Sequence, residues 1–83
     1  MKNLQNEMGT DESVVVMSAV RYMLGRSSYG VGSVCDYLRV NRLRLTDSNK
    51  SVICRDIRKY LEDYPDTKWR ENWESIYDLL KSK

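Results

Sequence analysis

Two blocks of apolar residues at helical spacing meet at a ten-residue stretch that ends the first and opens the second. Val16, Val20, Met23 and Leu24 recur three and four positions apart into its first half, and Val31, Val34, Cys35 and Leu38 do so after it. That period marks a helix with one face turned to a core. The stretch, residues 21–30, holds two arginines, two tyrosines, two serines and two glycines. Gly25 can close the first helix, and Ser27 or Ser28 can cap the second. The stretch is therefore expected to be a corner between two packed helices.

The first helix is expected over residues 12–24, capped by Thr10 or Asp11. Its run Val14-Val15-Val16 is apolar on more than one side. Such a helix is either central to a fold or buried between subunits. The second helix is expected over residues 29–40. Gly30 and Gly32 fall in its first turn, and each costs up to about 1 kcal/mol relative to alanine. They mark either a frayed turn or a place where a ligand or another backbone comes close. Residues 41–45 connect to a third helix over 47–63, capped by Thr46. Its core side is Val52, Ile53, Ile57, Tyr60, Leu61 and Tyr64, and Tyr64-Pro65 ends it. Asp66 is then expected to cap a last helix over 67–81, with Trp69, Trp73, Ile76, Tyr77 and Leu80 on its apolar face. The fold class is all-α: one domain over 1–83, a small bundle of about four helices with a flexible lead-in over residues 1–10.

Composition removes most enzyme chemistry. The 83 residues include no histidine and only two cysteines, Cys35 and Cys54. The commonest general base and the commonest zinc ligand are both missing. Both cysteines fall within apolar helical patterns, as small core residues do. No cofactor and no metal are expected, and no catalytic residues stand out. No run of about 18 apolar residues could cross a membrane. The N-terminus lacks a signal-peptide core. The expected compartment is the cytoplasm. At this length a single core is marginal, so self-association into a homo-oligomer is expected.

Charge is segregated along the chain. Residues 21–59 carry nine basic side chains against three acidic ones. Residues 1–20 carry one against three, and residues 60–83 four against six. Seven of the nine central cations are arginine, which suits bidentate contact with phosphate or carboxylate. The corner lies at the edge of that basic segment. Arg21 and Arg26, the hydroxyls of Ser27 and Ser28, and the start of the second helix could together hold an anion. Tyr22 and Tyr29 could stack on a base. Arg55 and Arg58 could contribute from a neighbouring helix or subunit.

The pattern Arg21-Tyr22-x-Leu24-Gly25-Arg26-x-Ser28-Tyr29, with Ser51-Val52-Ile53-Cys54-Arg55-Asp56-Ile57 further on, resembles a group of small bacteriophage and prophage proteins. These carry an R-Y-x-L-G-R-x-[ST]-Y motif. The likeness spans roughly residues 14–57 and leaves out the tryptophan-bearing last helix. It implies a phage-encoded accessory protein, acting in the cytoplasm of the infected host. Many such proteins blunt host defences. Some sequester the nucleotide second messengers of systems such as CBASS or Thoeris; others bind a host defence or CRISPR protein directly.

The expected function is thus an anti-defence protein that binds a phosphate-bearing nucleotide signal without turnover. The candidate ligand residues are Arg21, Tyr22, Arg26, Ser27, Ser28, Tyr29, Arg55 and Arg58. The alternatives are an inhibitor that binds a host defence protein, and a small DNA-binding regulator.

Overall fold

The computed structural model describes residues 7–24 and 30–81. The chain is an all-α bundle of four helices, with no strand among the described residues. These are α1 (Thr10–Leu24), α2 (Gly30–Val40), α3 (Asp47–Asp63) and α4 (Arg70–Lys81). A short 3₁₀ turn (Arg42–Arg44) joins α2 to α3. α1 packs on α2 and α3, and α4 packs on the same two helices. α1 and α4 therefore lie diagonally across the bundle.

Each helix turns one stripe inward. α1 buries Val16, Val20 and Leu24; α2 buries Val31, Cys35 and Leu38; α3 buries Ile53, Cys54 and Ile57; α4 buries Trp73, Ile76 and Leu80. These join Met8 and Leu45 in one core. Burying a side chain of that size stabilises by about 1.5–3 kcal/mol. Trp73 is fully buried, while Trp69 packs against the core from its edge. The tryptophans are core residues, as helical spacing implies. Both cysteines are buried and free.

Helix ends agree with the sequence in part. Thr46 caps α3: its hydroxyl accepts from the Asn49 N–H at 3.0 Å, and Asn49 Oδ1 accepts from the Thr46 N–H at 3.2 Å. The same Asn49 oxygen accepts from the Ser13 hydroxyl at 3.2 Å, so a capping box on α3 also ties down α1. α1 starts earlier than expected. Gly9, rather than Thr10 or Asp11, accepts the first helical bond, from the Ser13 N–H at 3.0 Å. α4 starts later, and Asp66 does not cap it. Residues 65–69 form turns in which the Thr67 hydroxyl accepts from the Trp69 N–H at 3.3 Å, and Trp69 accepts the bond from the Trp73 N–H. Pro65 needs residue 66 to complete its turn, which delays the helix.

The lead-in is anchored before α1 begins. Met8 is 5% exposed, and its N–H donates to the Arg44 carbonyl at 2.8 Å. Residues 1–6 lie outside the described residues.

Candidate functional site

α3 places its charges by simple geometry. Ile53 and Ile57 hold one side of the helix against the core, so Arg55, Arg58 and Lys59 come out on the other. Positions 50, 54 and 58 are four apart and form a single row along the helix. That row borders α4, where Tyr77 and Lys81 face it. The result is an open groove of about 630 Å³ between α3 and α4. Lys50, Arg55, Arg58 and Lys81 line it, with Asp47 as the one acidic lining residue. Cys54 and Tyr77 form part of its wall, and the Lys81 ammonium lies 5.7 Å from the centre of the Tyr77 ring.

The cations are only loosely held. Arg58 Nε reaches Glu62 Oε2 at 3.4 Å, and Arg55 Nε reaches Asp56 Oδ1 at 3.7 Å, with both arginine side chains about 70% exposed. Exposed pairs of this kind are worth ~0–1 kcal/mol and are screened by salt. Lys50 makes no ion pair with the described residues. Such guanidinium and ammonium groups can turn to an incoming anion at little cost. Further along, the groove continues past Arg58 and Tyr77 into a mixed region with Glu62, Arg70, Glu74 and Asp78. Its electrostatic character therefore changes along its length.

Asp56 links this groove to α1. It accepts from Arg21 Nε at 3.1 Å on its other oxygen, while its own side chain is 20% exposed. One carboxylate thus draws Arg21 and Arg55 together from helices 34 positions apart in sequence. Arg21 keeps a 61% exposed side chain after making that bond.

Comparison with protein-family models, with curated proteins and with solved structures gives no match.

Of the residues singled out by sequence, Arg21, Arg55 and Arg58 come to one side of the bundle. Tyr22 stands on the outward face of α1, 57% exposed. Arg26, Ser27, Ser28 and Tyr29 lie outside the described residues, as does Gly25. Sequence reasoning missed Lys50 and Lys81 as partners of Arg58. The spacing 50–54–58 was there to be read. Lys81 was not, because its position opposite Lys50 depends on how α4 docks.

The remaining titratable groups serve the frame. Hydrogen bonds from Arg44 and then Tyr37 hold the Glu12 carboxyl below its usual range. Burial pushes the Cys35 thiol up to about 11 and raises that of Cys54 as well. Neither thiol is poised as a nucleophile at neutral pH, where the thiolate is the reactive form.

Proposed function

We propose that the chain is a non-catalytic binding protein that holds a phosphate-bearing ligand of nucleotide size on the α3–α4 side of the bundle. The observation that carries this reading is the convergence of Lys50, Arg55, Arg58 and Lys81 on one groove whose lining includes a single acidic residue, Asp47. Arginine supplies bidentate contacts to phosphate oxygens, and lysine supplies point charge. Tyr77 offers a ring edge for a base or ribose. Arg21, steadied by Asp56, extends the basic surface onto α1.

The motif's likeness to phage and prophage proteins supports a finer reading: an anti-defence protein that sequesters a nucleotide signal in the host cytoplasm. Sequestration works by mass action and needs no turnover. Val40 and Leu43 favour a second reading, direct binding to a defence protein, because these large apolar residues are 74% and 66% exposed beside Arg39 and Arg42. Exposed apolar residues rimmed by charge are a common mark of protein contacts.

The test is a thermal-shift and calorimetry screen with cyclic di- and trinucleotides, ADP-ribose derivatives and inorganic pyrophosphate. A ligand at about 100 times its Kd stabilises by ~2.7 kcal/mol, a readily measured shift. R55E/R58E should abolish the shift without unfolding the bundle, and the bound nucleotide should be recovered intact. No shift with any of these at millimolar concentration sinks the nucleotide reading. Duplex DNA in the same screen, with a steep loss of binding as salt rises, would instead favour a DNA regulator.

A further inference from the structure

The outward face of α1 carries large apolar residues among its polar ones. Val14 and Val15 are 57% and 67% exposed, and Ser18 and Tyr22 continue the stripe along the helix. The core lies on the opposite side, through Val16, Val20 and Leu24. Positions 11, 15, 18 and 22 are spaced four, three and four, the spacing of a seam between two helices. A helix apolar on both sides is either central to its fold or buried between copies. α1 packs on α2 and α3 only and is not central. Beside the stripe runs an apolar groove of about 300 Å³, floored by Val16, Ala19, Val34 and Leu38 with Val15 at its rim.

We propose that this face binds a second copy of the chain, α1 against α1, antiparallel about a two-fold axis between Val15 and Ser18. Charge complementarity selects this occupant. The stripe is acidic at its start, where Asp11 is exposed and makes no ion pair with the described residues. At its end Arg21 flanks the stripe and stays 61% exposed while bonded to Asp56. Antiparallel pairing sets Asp11 of one copy against Tyr22 and Arg21 of the other, and the symmetry makes that contact twice. The two contacts lie about 16 Å apart along the helix at 1.5 Å per residue. Parallel pairing would oppose like charges at both ends. The helix dipoles also favour the antiparallel arrangement. Ser18 and Ala19 are small enough for the two backbones to approach, which brings Val15 of each copy over the groove of the other. The seam is only three turns long, short of the ~800 Å² per partner of a standard stable interface. The dimer is therefore one that dissociates on dilution.

Sedimentation across a dilution series up to millimolar tests the interface. The wild-type mass should rise from 9.8 kDa toward twice that value with concentration. V15E should raise the dimer Kd by about tenfold or more. L43E, on the 3₁₀ turn, should leave it unchanged. A wild type that stays monomeric to millimolar, or a dimer that V15E leaves intact, overturns the proposal. Circular dichroism checks that V15E still folds, and a cross-link gives a reading independent of it. On mixing and oxidising D11C and Y22C chains, a disulfide should join D11C of one copy to Y22C of the other. Linkage of D11C to D11C alone, or no linkage, overturns the antiparallel arrangement.

Discussion

Arg44 holds Glu12 with both of its terminal nitrogens: Nη2 lies 2.6 Å from Oε1, and Nη1 lies 2.8 Å from Oε2. The Tyr37 hydroxyl donates to Oε2 as well, at 2.9 Å. The first turn of α1, the last turn of α2 and the 3₁₀ turn thus meet on one carboxylate. Bidentate guanidinium–carboxylate pairs have the geometry that single surface ion pairs lack.

The pH dependence of stability follows from that contact. Glu12 has a lowered pKa in the folded chain, against an ordinary value of 4.5. Its contribution is present above the unfolded value and is lost as pH falls through the lower folded value. E12Q should therefore lower Tm by a constant amount above pH 4.5, and the gap to wild type should close as pH drops below that. D36N makes the comparison: Asp36 pairs with Arg39 at (i,i+3) and is 76% exposed, so its effect on Tm should be the smaller.

The capping box of α3 gives a graded pair of variants. T46A removes one side-chain acceptor and should cost about 1 kcal/mol in urea unfolding. N49A should cost more. It strips the acceptor shared by the Thr46 N–H and the Ser13 hydroxyl, at a site only 7% exposed. A buried donor left without its partner adds ~1–3 kcal/mol. Equal effects for the two variants would show that the Ser13 contact adds nothing.

Gly32 separates a frame role from a ligand role. A Cβ built there meets nothing within 4 Å. G32A should raise stability by up to ~1 kcal/mol through helix propensity alone. If the same change weakened nucleotide binding tenfold while raising Tm, the glycine would be there for the ligand's approach.

Thiol chemistry should be slow in the native protein. With Cys35 at about 11 and Cys54 raised by burial, alkylation by iodoacetamide at pH 8 should require opening of the bundle. Mass spectrometry should find both thiols unmodified in buffer and both modified in denaturant.

Much of the frame was legible in the sequence, because local chemistry decides it. Thr46, Pro65 and the four-residue spacing of Ile53, Ile57 and Leu61 place α3 over the same residues in the sequence and in the structure. α4 starts later than the sequence implies because the turn at Pro65 takes up Asp66 and Thr67, and Trp69 accepts the first helical bond. One apolar residue has no periodicity, so Met8 is not distinguishable in sequence from a loose lead-in; only the fold supplies the Arg44 carbonyl that receives its N–H. The candidate site was half legible. Arg55 and Arg58 stood out by type. Asp56 does not stand out by type, and its bond to Arg21 spans 35 positions, beyond any local pattern.

The contacts at Arg44 also bear on what selection can reach. Met8 and Glu12 at the start of α1 are fastened to a point just past the end of α2. The α1–α2 hairpin is thereby closed at its open end, while the peptide chain closes the other. Register between the two helices is set where that clasp sits and along the core between Val16, Val20 and Leu38. Selection can therefore vary either helix only in ways that keep this clasp in step with the core.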